Sequence, residues 1–207
     1  MLELFLSAFV TLFVVIDPPG CAPIYAGLTT GASPAQRRSM AFRACLIAGI
    51  ILLIFALFGQ QLLGALHIEL NAFRAAGGIM LFMIAIDMVF EKRTQRREER
   101  AEKIRATPEV EDVSVFPMAM PMLAGPGAIA SVMLLQSTAR GTAESLVVLG
   151  ALAAVLLLTL LALLAASPLM RLVGVQVEAV ITRLLGVLLA ALAAQYVIDG
   201  VRGSFGL

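Results

Sequence analysis

One carboxylate, Asp17, lies in an otherwise uncharged apolar run from Leu4 to Leu28. An ionisable group inside a membrane span is expensive and by default marks an ion, proton or substrate path. Pro18, Pro19 and Gly20 follow it directly. Proline has no N–H to donate and its ring clashes with the preceding turn, while glycine lets the backbone leave helical geometry. The run therefore stops one half-helix and starts another. Gly125-Pro126-Gly127 interrupts a second apolar run, Val113 to Leu135, in the same way. The backbone groups freed at such breaks cannot face lipid, where each costs several kcal/mol, so they are buried in protein or line a polar cavity.

Half-helix N-termini carry partial positive charge and suit a carboxylate, and freed carbonyls suit a cation or an ammonium group. A zwitterion such as an amino acid fits that pair. The expected substrate site is thus Asp17, Pro18, Pro19, Gly20, Gly125, Pro126 and Gly127. Arg74, followed by the small run Ala75-Ala76-Gly77-Gly78, joins them as a candidate partner for Asp17. Asp17 is the candidate for coupling to H⁺ or Na⁺. It is also suited to cap the second half-helix, with Pro18 at the first helical position, and the two roles are compatible. Asp87, Gln136 and Thr29 carry less weight, and Arg183 reads as an interfacial anchor.

Other chemistries lack their residues. A single His67 and two cysteines, Cys21 and Cys45, stand in no metal or redox spacing, so neither a metal nor a cofactor is expected. No HExxH, Ser/His or paired-carboxylate constellation supports an enzyme, and no Walker A pattern supports an ATPase. The net charge of +1 argues against nucleic acid as a partner.

The elements that must position these residues are membrane helices. The chain is 60% hydrophobic and 14% charged, against about a quarter charged for soluble domains. Mean hydropathy is +0.98. Crossing the hydrocarbon takes about 20 apolar residues, which predicts spans near 2–28, 41–65, 69–90, 113–138, 145–168 and 178–200. The first apolar run lacks a basic leading region and is expected to be retained as a span. Connections after the odd spans, with their adjoining ends, hold twelve of the fifteen Lys and Arg. That bias predicts that both termini face the outside.

The expected fold is all-α, one polytopic membrane domain over 1–207: a first repeat at 1–90, a cytoplasmic linker at 91–112 and a second repeat at 113–207. Pro19 and Pro126 are 107 positions apart, and Arg74-x-x-Gly77 and Arg183-x-x-Gly186 are 109 apart. Three spans per repeat is odd, so the copies enter the membrane from opposite sides. Two inverted three-helix repeats with broken helices 1 and 4 are predicted.

Three motifs carry a family resemblance. Val15-Ile16-Asp17-Pro18-Pro19-Gly20-x-x-Pro23, Phe73-Arg74-x-Ala76-Gly77-Gly78-Ile79-x-Leu81-Phe82 and the run from Phe116-Pro117 through Pro121 to Gly125-Pro126-Gly127-Ala128-Ile129 resemble the MarC family. That family includes SnatA-type small neutral amino-acid transporters and is related to the LysE-type exporters. The resemblance covers nearly the whole chain. It implies a six-span protein of the bacterial inner membrane, a substrate site formed by the two breaks, and transport of a small neutral amino acid across the lipid bilayer. A channel or a non-transporting structural membrane protein is the alternative, and homo-oligomer formation is left open.

Overall fold

The computed structural model describes residues 1–90 and 112–206, without the side chains of 167–179. Apart from Asp112, the linker expected over 91–112 lies outside the described residues. Seven helices follow in order: α1 (Leu2–Ile16), α2 (Pro18–Leu28), α3 (Pro34–Ala65), α4 (Leu70–Val89), α5 (Pro126–Thr138), α6 (Gly141–Leu164) and α7 (Ala166–Phe205). An irregular wound segment, Ser114–Leu123, precedes α5. No strand occurs among the described residues.

Five helical stretches are long and apolar enough to cross a membrane, α1 and α2 counting as one over Leu2–Leu28. The wound segment and α5 would add a sixth if they form a single span. The two breaks differ in form. The first leaves Leu2–Leu28 as one stretch, whereas Ser114–Leu123 and Pro126–Thr138 meet at a 53° bend.

Side-chain size explains how the helices assemble. On α3 the buried face consists mostly of Ala41, Ala44, Cys45, Ala48 and Ala56, while Phe42, Leu46, Ile50, Leu53, Ile54, Leu57 and Phe58 point outward. That is the reverse of a soluble amphipathic helix. Lipid removes the penalty for exposed leucine, and small residues let helix backbones approach.

Helices α4 and α7 show the closest approach and run antiparallel. A Cβ on Gly186 would meet Met88 Cβ at 2.9 Å, one on Gly78 would meet Ala193 O at 2.8 Å, and one on Gly200 would meet Ala75 N at 2.6 Å. Helix α4 also packs antiparallel on α5, with Gly77 against Leu134 and Gly127 against Ile84. Helix α1 packs on α5, α6 and α7, and α2 on α6 and α7.

Several helix boundaries depart from the expected spans, α6 starting at Gly141 instead of 145 and α7 ending at Phe205 instead of 200. Helix α3 starts at Pro34 instead of 41, because Ser33 and Gln36 form a reciprocal capping box with Pro34 at the first position. The junction expected over 169–177 falls instead at Ala165, whose N–H closes α6 onto Leu161 O at 2.9 Å. Helix α7 then continues for 40 residues. Pro168 sits in its first turn, where a missing N–H breaks no helical bond. Such a helix is about 60 Å long, roughly twice the hydrocarbon thickness. Hydropathy reports the membrane-embedded part of a helix and not its ends.

Candidate functional site

Asp17 joins two helices. Its backbone is left-handed, φ 61° and ψ 64°, and its N–H reaches back to Phe13 O at 2.9 Å, closing α1. Its carboxylate accepts from Gly20 N at 3.2 Å and caps α2, whose first residue is Pro18. Asp17 is 2% exposed. The capping chemistry expected from the sequence is therefore present, and glycine at position 20 is required for it. A Cβ there would lie 2.3 Å from Asp17 Oδ2.

Prolines shape the rest of the first break. Pro18 cannot donate to the carbonyl of Val14, and Pro23, inside α2, cannot donate to that of Pro19. Both carbonyls lose their helical hydrogen bond. Pro18 and Gly20 are buried and Pro19 is half-buried.

The second break is built differently. Phe116 and Met120 take extended backbone angles, as residues before proline do. The peptide bonds Phe116-Pro117 and Met120-Pro121 are cis. Hydrogen bonds from Met118 N to Val113 O and from Ala124 N to Ala119 O span five residues. Gly125, extended and buried, then opens α5 with Pro126 at its first position and no side-chain cap. The capping positions Asp17 and Gly125 correspond at an offset of 108, as do Pro18 and Pro126. One helix start carries its own carboxylate and the other carries none.

The two breaks meet. A Cβ on Gly127 would stand 2.3 Å from Ile84 Cδ1 and 3.4 Å from Val15 Cγ1. The start of α5 thus lies against α1 two residues from Asp17, with α4 behind it. Gly127 is buried and Pro126 is exposed.

Arg74 is not brought to this level. It lies ten residues before Ile84 in α4, about 15 Å along the axis. Arg74 Nε is buried with no hydrogen-bond partner among the described residues. Three further buried polar atoms share that condition: Ser114 Oγ of the wound segment and Ser131 Oγ and Gln136 Oε1 of α5. Ser131 drew no attention in the sequence, since a lone serine in an apolar helix normally bonds its own backbone. Asp87 and Arg183 are half-buried and exposed, respectively, and both are engaged in interactions. Thr29 is spent on Tyr25 O at 2.8 Å.

The wound segment is anchored outside the spans. Asp112 accepts from Ser114 N at 2.9 Å and pairs with Arg43 Nη1 of α3 at 2.8 Å. The Ser114 hydroxyl beside it, its backbone N–H and the Arg43 guanidinium hold the Asp112 carboxyl below the usual carboxylate range, against a smaller effect of desolvation. The bond that meets strict geometry is the one from the backbone N–H.

These features define an integral membrane protein of apolar helices interrupted by paired proline–glycine breaks. The profile of the MarC family integral membrane proteins matches residues 2–205, and the chain belongs to that family. It is 34% identical over 203 residues to a UPF0056 membrane protein of Methanocaldococcus jannaschii, covering 98% of each chain. It is 34% identical over 200 residues to one from Archaeoglobus fulgidus, covering 97% of this chain and 93% of the relative. The UPF0056 membrane protein YvbG of Bacillus subtilis is 33% identical over 205 residues, 99% of this chain and 97% of its own. No solved structure matches the chain.

Proposed function

We propose that this protein is a secondary transporter of small neutral amino acids across the bacterial inner membrane, with substrate held between the two proline–glycine breaks. The observation that carries the reading is the meeting of an uncapped helix start with a capped one. At α5 the first turn has no side-chain carboxylate, and its partial positive charge suits the carboxylate of a substrate. At α2 that position is filled by Asp17. The Asp17 carboxylate and the carbonyls of Val14 and Pro19 suit an ammonium group. Gly127 against Val15 sets the start of α5 beside the end of α1, two residues from Asp17, which supports a site between the breaks.

Coupling to H⁺ or Na⁺ through Asp17 follows from the same asymmetry. The inverted repeat is supported by the matched capping positions and by the antiparallel packing of α4 on α7, the third helix of each half. The Lys and Arg bias supports termini on the outer side. A reporter fused to the C-terminus that reads cytoplasmic would sink that orientation.

The direct experiment is uptake of labelled glycine, alanine and leucine into liposomes with and without imposed H⁺ and Na⁺ gradients. Saturable flux that responds to one gradient, and loses that response in Asp17→Asn, is expected. Flux that does not saturate would favour a channel, and none at all a structural role.

A further inference from the structure

Buried hydroxyls in the spans pair with their own backbone. Thr11 donates to Ser7 O at 2.7 Å, Thr29 to Tyr25 O at 2.8 Å and Thr159 to Val155 O at 2.8 Å, each four residues back. Ser131 of α5 departs from this pattern. It is fully buried, yet its Oγ has no partner among the described residues, although the Gly127 carbonyl stands four residues back. A buried hydroxyl left unpaired is destabilising and calls for a reason. Ser114 Oγ, also unpaired, lies beside the Asp112 carboxylate, whereas Ser131 sits in the otherwise apolar run 127–135.

Its place is one turn into α5 from the second break. Residues four apart on a helix are neighbours on one face, and every Cα–Cβ bond leans toward the N-terminus. The Ser131 side chain therefore leans back over Gly127, toward the helix start. The space that a Cβ on Gly127 would take is bordered by Val15 Cγ1 at 3.4 Å and Leu81 Cδ2 at 3.8 Å, and it holds Ile84 Cδ1 at 2.3 Å. Glycine at 127 thus leaves a slot on the α5 surface that ends at Ser131. What fills the slot is the far end of one flexible side chain.

The helix start adds donors beside this slot. Pro126 has no N–H, and the Ile129 N–H closes onto Gly125 O at 3.0 Å. With no side-chain cap on α5, the Gly127 and Ala128 N–H groups have no partner among the described residues. Two donors in the first turn and a hydroxyl about 6 Å further along the axis match the two ends of a short hydroxylated amino acid. Its carboxylate accepts from the N–H pair. Its hydroxyl, which donates and accepts as that of Ser131 does, enters the slot.

We propose that Ser131 is a specificity-determining residue: among small neutral amino acids it selects those with a side-chain hydroxyl, by pairing with that hydroxyl where the Ile84 tip now lies. This rests on the transport reading and adds the side-chain end of the substrate to it. An aliphatic side chain of the same size would fill the slot and leave Ser131 unpaired, which is how a polar site rejects an apolar isostere.

Uptake into liposomes of L-serine and of L-2-aminobutyrate, which carries a methyl where serine has its hydroxyl, tests it. Wild type is expected to show a KM about tenfold lower for serine, the effect of one well-placed hydrogen bond. Ser131→Ala should erase that preference, and Ser131→Thr should keep part of it. Because the hydroxyl holds no partner within the described protein, Ser131→Ala should unfold in detergent at the wild-type temperature or above. Thr159→Val removes a hydroxyl already paired with its own helix and should leave the preference unchanged. Equal KM for the two substrates in wild type, or a preference that survives Ser131→Ala, would overturn the proposal and leave the transport reading intact. So would a Ser131→Ala protein that unfolds earlier and loses both substrates alike, since the hydroxyl would then be structural. Absence of uptake for any amino acid would overturn both.

Discussion

The Asp17 carboxylate folds over Gly20, accepting its N–H at 3.2 Å and filling the space a Cβ would need. One side chain therefore closes the first break, and substitutions at position 17 separate this capping from the proposed coupling.

Asparagine keeps an acceptor and tolerates the left-handed backbone, so Asp17→Asn should hold stability within a few tenths of a kcal/mol. The same variant removes the charge and should abolish gradient coupling. Asp17→Ala loses the cap and strains the positive φ, costing about 2 kcal/mol. Gly20→Ala should cost about 1 kcal/mol by displacing the cap. Thermal unfolding in detergent ranks the variants. A coupled, fully active Asp17→Asn would leave the carboxylate with capping alone.

Glycines at the α4–α7 contact should respond oppositely to glycines in open helix. A Cβ on Gly200 meets Ala75 N at 2.6 Å and Asn71 O at 2.7 Å. Backbone cannot yield as a side-chain tip does, so Gly200→Ala should destabilise by about 1–3 kcal/mol. Gly150 in α6 has nothing within 4 Å. Gly150→Ala should instead gain about 0.5–1 kcal/mol from helix propensity. Equal shifts in unfolding temperature for the two variants would show that α4 and α7 do not rely on this approach.

Much of the fold was legible because its signals are local. Asp17-Pro18 reads as cap and first helical residue wherever it occurs, and the apolar runs announce helices that cannot live in water. The capping box Ser33-x-x-Gln36 was equally readable, yet hydropathy drew the span start to 41 because charged residues lie between. The site was less legible. Arg74 and Asp17 were natural partners by charge alone, but some 15 Å of helix separates Arg74 from the level of the breaks. That Gly127 lies against Val15 and Ile84 depends on how α1, α4 and α5 dock, which no local signal encodes.

The Arg43–Asp112 pair gives a pH dependence with a defined sign. The Asp112 carboxyl is lowered from 3.8 in the folded chain. Its contribution is therefore complete above about pH 5 and fades as pH falls through the lowered folded value. Both side chains are well exposed, 57% and 38%, so the pair is worth less than about 1 kcal/mol. Asp112→Asn should lower stability slightly at pH 7 and match wild type once the pH has fallen below the lowered folded value. A difference that persists at the lower pH would point to the Ser114 N–H contact instead.

Gly127 tests whether contact between the breaks matters for transport as well as packing. Its added Cβ would meet Ile84 Cδ1 at 2.3 Å, the far end of a flexible side chain, and Val15 Cγ1 at 3.4 Å. Gly127→Ala should therefore fold, at a cost of about 1 kcal/mol, by pushing Ile84 aside or shifting the start of α5. If the zwitterion bridges the two helix ends, even a small shift between α5 and Asp17 costs substrate affinity. The KM for alanine should rise about tenfold with little change in helix content. Shortening Ile84 to Val makes room at the 2.3 Å contact, so Gly127→Ala with Ile84→Val should recover most of the lost affinity. The double-mutant cycle would then show coupling of more than about 0.5 kcal/mol, as neighbours in contact do. Additive effects, or a Gly127→Ala protein that transports normally, would mean that substrate does not sit between the two helix starts.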